Sequence, residues 1–518
     1  MIKNSIKILC TLIVLAALIM PTSASISSKK YTPLSQPLMN DFDPLVDNIT
    51  VTVTIKEIRA LDIIDIFSDP DFYVKVTIND QEFTSDVWQN SKYVKNPNWV
   101  ASCNVPKENE FVNITIALWD KNTQKDRLCD LSPDLGDLTN VRSAELTYSI
   151  AAGIWWGDDE LGDPSGYGRL NGCDDNSIYQ EDRDCVLWFD ISQNDLDGDG
   201  FPYWLETEVY HTNPLVDNTG EDADGDGIPI EWEYRFGLAY YQWGHDEGYY
   251  LIYDPFTWEN HTSLDDDKDG LTNFEEYQTW QWDSDPFRQD LFIEIDQMEP
   301  QPGVKEATIP LGAYELLQDS HAKYNIVYHV DDGRLGGGEF IPYKADLHDQ
   351  DFETNYWYYF MHQDANNWRR GVFHWGFLGY NVTQTTPFTF GSRIGNLRAT
   401  DCFYLPAVYL NSQVKWIPLI SSLVRGTFNS EEQKAIVYAG VIMHETGHSL
   451  GLYNFPGIDC HDGVWPWQIN YWRYGSYKSV MNYRYIYSGL TDYSDGSRGK
   501  NDHDDWATID LTRFNPHP

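Results

Sequence analysis

The segment Ser430–Gly451, SEEQKAIVYAGVIMHETGHSLG, carries the strongest fold signal in the C-terminal part of the chain. We predict a long helix over Glu431–Leu450. Ser430, with Gln433 three residues later, forms a capping-box arrangement that satisfies free backbone amides at a helix start. Gly451 follows the last helical residue and permits a sharp bend that turns the chain back. The segment therefore predicts a helix with a defined start and a defined end.

Two histidines lie one helical turn apart near the end of this predicted helix. His444 and His448 share one face, so two imidazoles can converge on one metal ion, with Glu445 beside them. A zinc ion held there would acidify a water molecule and polarise a peptide carbonyl. Glu445 would take the proton of the water and pass it to the leaving amine. The pattern predicts peptide-bond hydrolysis with a protein or peptide as substrate.

A second motif follows the helix: Ser479–Tyr483, SVMNY. Together with the extended motif His444–Gly451, it resembles the metzincins, zinc endopeptidases with a methionine turn, and among them the pappalysin-like enzymes and their archaeal relatives. The resemblance implies that Met481 forms a hydrophobic floor beneath the metal. It also implies that Tyr483 stands by the metal and hydrogen-bonds the oxyanion of the reaction.

The third metal ligand is the point at which this chain departs from that family. Asn454 stands six residues after His448, where the family has His or Asp, and an amide oxygen is a weak, neutral zinc ligand. Asn454 could coordinate, Asp459 or His461 could replace it, or the site could be degenerate. Replacement or weak coordination is favoured because the other motif residues remain. The alternative function is a catalytically inactive, calcium-dependent binding or adhesion protein of the cell surface.

The region around this helix mixes helix and strand patterns. Asp290–Asp296 reads as a buried strand, Tyr314–Lys323 as a helix and Ile326–His329 as another strand. We therefore predict an α/β (α+β) metzincin-like catalytic domain over residues 287–518.

Residues 193–286 contain an acidic pattern, D-x-D-x-D-G, that occurs three times, each time with a glutamate at the twelfth position. Three aspartates and one bidentate glutamate around a tight glycine turn are suited to calcium. The region resembles thrombospondin type 3 or dockerin-like calcium repeats, in which calcium stiffens a segment of low apolar content. The predicted calcium ligands are Asp195, Asp197, Asp199, Glu206, Asp222, Asp224, Asp226, Glu233, Asp265, Asp267, Asp269 and Glu276.

Residues 48–192 read as an all-β sandwich. Apolar residues alternate with polar ones in Asn48–Glu57, and similar short strands follow at Phe72–Ile78, Phe111–Trp119 and Cys185–Ile191. Period-2 alternation is typical of strands that bury one face. Short strands separated by turn signals favour an antiparallel sandwich.

The order of motifs in this sandwich resembles a C2 domain, the calcium-dependent lipid-binding module. Ser68–Val76 is similar to the S-D-P-Y-V-K-V strand entry, Asn96–Trp99 to the N-P-x-W turn, and Trp119-Asp120 to the residues before the third loop. A long insertion, about 131–184, is absent from the family pattern. The resemblance implies contact with a membrane surface or cell envelope, and calcium bound by loop aspartates. Those candidates are Asp65, Asp71, Asp120, Asp126 and Asp130.

The N-terminal residues predict export. Lys3 and Lys7 precede the apolar run Ile8–Met20, which is shorter than the roughly 20 residues of a membrane-spanning helix. We predict a signal peptide over residues 1–24, a linker or short pro-segment over residues 25–47, and a secreted or cell-surface protein.

Composition supports export and excludes one class of partner. The net charge of −44 repels phosphate backbones, so nucleic acid is not an expected partner. Sequons at Asn48, Asn113, Asn260 and Asn381 fit a glycoprotein. Six cysteines remain after the signal peptide, and an even number in an exported chain favours disulfides, about one pair per region. The cysteines are Cys103, Cys129, Cys173, Cys185, Cys402 and Cys460.

Overall fold

The computed structural model describes residues 32–34, 37, 42–65, 68–133, 141–159, 168–175, 177–178, 180, 182–243, 246–300, 308–380, 388–389, 401–414 and 430–514. The predicted signal peptide and the sequon at Asn381 lie outside these residues. Within the described part of the chain, no helix has the length and apolar character needed to cross a membrane.

The N-terminal half folds into a two-sheet β-sandwich whose strands alternate inward and outward residues, as predicted. One sheet has the order β10-β11-β2-β5, and the other has the order β4-β3-β6-β8-β9 with β7 paired to β6. The strands are β2 (Ile49–Ala60), β3 (Phe72–Ile78), β4 (Gln81–Thr84), β5 (Tyr93–Val105), β6 (Phe111–Asp120), β7 (Arg127–Leu128), β8 (Ala144–Ser149), β9 (Trp155–Gly157), β10 (Gly168–Asn171) and β11 (Cys185–Gln193).

The segment predicted as a linker takes part in the fold. Strand β1 (Thr32–Pro33) pairs with β13 (Asp246–Leu251), which in turn pairs with β12 (Leu238–Trp243). Phe42 is buried in the core of the sandwich. The chain before the sandwich is therefore held against both the sandwich and the acidic region.

Short helical turns follow the three acidic loops, as the sequence predicts. A π-helical turn spans Leu205–Tyr210, α1 spans Ile230–Gly237 and α2 spans Asn273–Thr279. Thr272 caps α2: its hydroxyl accepts a hydrogen bond from the backbone N–H of Glu275, whose carboxylate accepts one from the N–H of Thr272.

The C-terminal region is a mixed α/β layer built on one six-stranded sheet. The order is β15-β14-β17-β19-β18, with β16 also paired to β14, and all pairs are parallel except β18 with β19. The strands are β14 (Asp290–Met298), β15 (Val327–Asp331), β16 (Phe340–Ile341), β17 (Phe373–Gly379), β18 (Phe388–Thr389) and β19 (Cys402–Pro406). The helices are α3 (Leu311–Ala322), α4 (Asp349–Asn355), α5 (Ala407–Gln413), α6 (Ser430–Ser449) and α7 (Ile469–Arg473).

Helix α6 forms the core of this region together with α3. Its residues from Ala435 onward are all buried, so the helix is enclosed on every side and carries its polar motif residues inside the protein. Gly440 lies against the backbone of Ile486, where a Cβ would come within 2.4 Å of a carbonyl oxygen. The helix predicted from Ser430 is thus the central element of the domain.

The predicted disulfides are wrong for the described structure. All six cysteines after the signal peptide are free thiols. Cys402 lies within strand β19, whereas Cys460 lies in a loop after α6. Two cysteines in one region need not bring their Cβ atoms within the roughly 3.5–4.5 Å that a disulfide requires.

Candidate metal centre

The end of α6 is fixed by a glycine turn. The N–H of Leu452 donates to the carbonyl of Gly447, and the N–H of Gly451 donates to the carbonyl of His448, at 2.9 and 3.1 Å. Gly451 has a φ of +103°, a conformation that L side chains rarely adopt. This pair of bonds is a Schellman motif, and it turns the chain back toward the histidines as predicted.

The two histidines present the same nitrogen toward each other. Nδ1 of His444 lies 2.9 Å from the carbonyl oxygen of Val480, and Nδ1 of His448 lies 2.7 Å from that of Leu452. A carbonyl only accepts, so each Nδ1 is the protonated nitrogen and donates. Each neutral ring therefore directs the lone pair of Nε2 inward, and the two Nε2 atoms are 3.2 Å apart.

Asp459 completes a three-residue group with the histidines. Its two carboxylate oxygens lie 3.1 Å from Nε2 of His444 and 3.3 Å from Nε2 of His448. Burial alone would raise the pKa of the Asp459 carboxyl, but the hydrogen bonds and charges of the two histidines outweigh burial and hold that pKa well below its usual range. The site thus has a charged oxygen ligand opposite two nitrogen ligands.

The structure corrects the first expectation for the third ligand. Asn454 is exposed and lies outside the group, because the chain has just left the glycine turn and the side chain points to solvent. His461 is also outside the group and packs its ring against Tyr483, with ring centroids 4.9 Å apart. Of the three alternatives, Asp459 alone converges with the histidines.

Met481 lies beneath the metal-binding helix. It is fully buried, and a Cβ on Gly447 would approach its sulfur to 2.6 Å. Gly447 therefore allows the methionine turn to pack directly under the helix between the two histidines. Tyr493 secures the same contact, since its hydroxyl donates to the carbonyl of Met443 at 2.6 Å.

Tyr483 and Glu445 border the three-residue group. The ring of Tyr483 stacks on that of His444 with centroids 5.4 Å apart. Burial, followed by the charge and hydrogen bond of Asp459, raises the pKa of Tyr483, so its hydroxyl stays protonated and can donate. Glu445 is buried beside His444, and its charge acts to raise the pKa of that imidazole.

The donor set fits zinc. Two ligands at about 2.0–2.1 Å from a tetrahedral zinc ion are about 3.3 Å apart, which agrees with the Nε2–Nε2 and Nε2–oxygen separations found here. Two His and one carboxylate leave a fourth position for water or substrate, as in catalytic zinc sites. Without a cation or a proton between them, the inward lone pairs would repel.

The three acidic loops share one hydrogen-bond pattern. In each, the first aspartate accepts the N–H groups of the fourth and sixth residues, for example Gly198 and Gly200 onto Asp195 at 2.9 and 3.0 Å. The same bonds recur from Gly225 and Gly227, and from Lys268 and Gly270. Each sixth residue is a glycine with positive φ. The predicted calcium ligands therefore sit on three loops of the same conformation.

The twelfth-position glutamates are buried against these loops. Glu206, Glu233 and Glu276 are each at most 1% exposed. Burial, and then neighbouring aspartate charge, raises the pKa of Glu206 to about 7 and that of Glu233 to about 9. At least one carboxylate oxygen of each has no hydrogen-bond partner within the described structure. Such a placement suits carboxylates that share a cation.

The second loop contains a residue that the sequence pattern did not reveal. Nε2 of His261 is buried 3.2 Å from an oxygen of Asp226 and 3.6 Å from one of Glu233. His261 lies 35 positions after Asp226 in the sequence, so no local spacing could have predicted it. The second loop thus has a nitrogen ligand available in addition to its carboxylates.

The predicted calcium residues of the sandwich do not all meet. Asp71 and Asp120 are adjacent, since the N–H of Asp71 donates to a carboxylate oxygen of Asp120 at 3.1 Å. Asp65 forms an ion pair with Arg127, and Asp126 forms one with Lys121. Asp130 lies in a different group, with Asp175 and Asp182.

Several solved structures are similar to the sandwich. Human GIVD cytosolic phospholipase A2 with a bound fluorophosphonate has 13% identity and a TM-score of 0.18 over 28% of this chain and 17% of that one. A solved C2 domain has 13% identity and a TM-score of 0.18 over 28% of this chain and 98% of that one. A two-domain structure of Extended-Synaptotagmin 2 gives 16%, 0.19, 31% and 46% for the same quantities.

Comparison with protein families identifies this part of the chain. The C2 domain model matches residues 49–150, whereas no curated protein sequence matches the chain. The family match confirms the all-β fold predicted for the N-terminal half. Residues 49–150 are a C2 domain.

Proposed function

We propose that this chain is a secreted, zinc-dependent endopeptidase whose acidic loops bind calcium. The observation that carries the proposal is the convergence of His444, His448 and Asp459. Their ligand atoms have the separations of a tetrahedral zinc site, and both Nδ1 atoms are already engaged by carbonyls. Those carbonyl bonds fix each ring so that Nε2 is the nitrogen left to bind metal.

The side chains around the group divide the chemistry of peptide hydrolysis between them. Zinc, when bound, supplies a Lewis acid that polarises the peptide carbonyl and acidifies the attacking water. Glu445 accepts the proton of that water and delivers it to the departing amine. The protonated hydroxyl of Tyr483, stacked on His444, donates a hydrogen bond to the oxyanion as negative charge develops.

The calcium part of the proposal rests on the buried glutamates. Glu206, Glu233 and Glu276 have carboxylate oxygens without partners in the described structure, beside aspartates of the same loops. Ions shared by these groups would remove the repulsion and stiffen the segment between the sandwich and the α/β region. The C2 domain is the part of the chain that we propose to contact a membrane surface or cell envelope.

Glu445→Gln separates catalysis from metal binding. We expect it to lower cleavage of fluorescein-labelled casein by at least about 100-fold, the low end for losing a general base, with one zinc per chain retained. Zinc is measured by mass spectrometry of the purified protein. Glu432→Gln, an exposed residue at the start of the same helix, is the matched control and should keep full activity.

Two results would reject the proposal. Unchanged cleavage by the Glu445→Gln variant would remove Glu445 from the mechanism. A wild-type protein that binds zinc but cleaves no substrate would favour the alternative, an inactive calcium-dependent binding protein with a degenerate protease fold.

A further inference from the structure

The insertion into the C2 domain brings aspartates from four separate segments together at one end of the sandwich. Asp62 follows β2 and Asp130 follows β7. Asp175 ends a short 3₁₀ turn, and Asp182 and Asp184 precede β11. They form two groups that share Asp182: Asp62 with Asp182 and Asp184, and Asp130 with Asp175 and Asp182.

Several of these carboxylate oxygens are buried without a partner. Asp184 is completely buried; one of its oxygens accepts hydrogen bonds from the thiol of Cys173 and the hydroxyl of Ser177, at 3.3 and 3.2 Å. Its other oxygen, Oδ1, has no hydrogen-bond partner in the described structure, and neither oxygen of Asp182 has one. A buried carboxylate oxygen without a partner costs several kcal/mol unless a cation or proton meets it.

Nearby positive groups offset only part of the charge. Nη1 of Arg142 is 3.7 Å from Oδ2 of Asp130, and the same guanidinium donates to the main-chain oxygen of Asp182. The charge of Lys323 acts on Asp62. The five carboxylates outnumber these two cations.

Main-chain amides also meet this group. One oxygen of Asp62 accepts the three consecutive N–H groups of residues 182–184, at 3.0 to 3.2 Å. These amides fix Asp62 but do not reach the carboxylate of Asp182 or Oδ1 of Asp184.

Burial and mutual repulsion make ionisation unfavourable here. Burial first, and then the charges of Asp175 and Asp182, raise the pKa of Asp130 to about 7. Burial and the charges of Asp62 and Asp182 raise the pKa of Asp184 to about 8. A group with these properties holds either protons or a metal ion, and the two occupants respond oppositely to added calcium.

We propose that Asp62, Asp130, Asp175, Asp182 and Asp184 form a binding site for a hard divalent cation, calcium by its ligand chemistry. Carboxylate oxygens are the ligands that calcium prefers, and they come from segments flexible enough in spacing to supply six to eight contacts. The site is separate from Asp71 and Asp120 on the loops of the C2 domain, and three of its five ligands belong to the insertion.

The site would link the insertion to the α/β region. The 3₁₀ turn that ends at Asp175 touches the end of α3: Nδ2 of Asn325 donates to Asp174 at 2.6 Å, and Asn171 donates to the carbonyl of Ala322 at 3.0 Å. A cation that fixes this turn therefore also fixes the contact between the C2 domain and the α/β region. Its role is structural and independent of the zinc site.

Hydrogen–deuterium exchange of the full-length protein tests the site, with calcium and with a chelator. We expect calcium to slow exchange at least about 10-fold in peptides covering residues 168–193 and 308–326. The double variant Asp182→Asn/Asp184→Asn should lose that protection. Asp86→Asn, an exposed aspartate of the same sandwich, should keep it. Unprotected peptides in the wild-type protein would overturn the proposal without any variant.

Thermal unfolding gives a second, opposite-signed readout. In chelator at pH 8, the double variant should melt higher than wild type because it relieves repulsion among carboxylates. In saturating calcium it should melt lower because the ligands are gone. A higher melting temperature under both conditions would mean that the group holds only protons, and would overturn the proposal.

Discussion

Asp459 shows how a single residue completes a site that its neighbours in sequence cannot. It has a φ of +53°, unusual for a residue with a Cβ, and its N–H donates to the carbonyl of Met481 at 3.1 Å. The methionine turn therefore holds Asp459 in a left-handed conformation that aims its carboxylate at both histidines. Strained backbone of this kind is typical of functional sites.

Substitution of Asp459 tests the assignment of the third ligand. We expect Asp459→Asn to weaken zinc affinity by more than about 100-fold, since losing a ligand exceeds the roughly 10–100-fold cost of losing its supporting partners. Competition with a chromogenic zinc chelator measures the affinity. Asn454→Ala should leave zinc affinity unchanged, and a large loss in that variant would restore Asn454 as the ligand.

Among the elements, α6 owes its position as much to its ends and glycines as to its apolar residues. Gly440 and Gly447 allow the chain after the helix to approach its backbone, and Gly451 ends it. The carbonyl of Leu452, just beyond Gly451, is the acceptor for Nδ1 of His448. The glycine turn thus also orients a metal ligand.

Gly451→Ala should therefore affect both stability and metal binding. The strained backbone is expected to cost about 1–2 kcal/mol of unfolding free energy. The new Cβ would also lie 3.2 Å from the Arg513 guanidinium. Urea denaturation measures the first effect and zinc titration the second. A variant that lost stability but kept wild-type zinc affinity would show that the turn does not position His448.

The acidic loops are elements whose stability without calcium should depend on pH. The pKa of Glu206 in the folded protein is about 7 against an ordinary 4.5, and that of Asp199 is about 6 against 3.8, mainly because of burial. A raised pKa means that protons stabilise the fold. That stability is fully present below the ordinary pKa and is lost as the pH rises through the folded value.

We accordingly expect the calcium-free protein to melt at lower temperature at about pH 7.5 than at about pH 5. The difference should shrink in the Glu206→Gln variant and in saturating calcium, which replaces the protons. Differential scanning calorimetry in chelator and in calcium measures it. A melting temperature in chelator that did not fall between these pH values would contradict the expectation.

Across the whole molecule, a buried ionic network joins the C2 domain to the α/β region. Arg59 of β2 is 3% exposed and lies 3.0 Å from both Glu315 and Asp319 of α3. Tyr93 donates to Asp319 at 2.6 Å, and Lys95 pairs with Glu315 at 2.9 Å. Basic residues on this sheet of the sandwich are thus engaged inside the protein.

Removing Arg59 should loosen the two regions. Arg59→Ala leaves two carboxylates buried at the contact, and breaking a buried pair in this way costs about 3–5 kcal/mol. We expect calorimetry to resolve the unfolding of wild type into two separate transitions in the variant. Lys75→Ala, which breaks the exposed pair with Glu82, is the control and should cost at most about 1 kcal/mol.

Features that rest on local pattern could be predicted from the amino-acid sequence. Period-2 alternation predicted the strands of the sandwich, and fixed spacing predicted the histidine pair, the glycine end of α6 and the three acidic loops. Hydrophobic periodicity, helical pitch and glycine conformations act within a few residues, so they can be read along the chain.

Which distant groups meet could be learned only from the folded chain. Asp459 rather than Asn454 lies at the histidines, His261 lies in the second acidic loop, Asp184 lies beside Asp62, and the cysteines are separate thiols. Each of these placements depends on how loops far apart in sequence pack against one another. That packing minimises the burial of unpaired charge over the whole molecule, a sum over contacts that no local spacing contains.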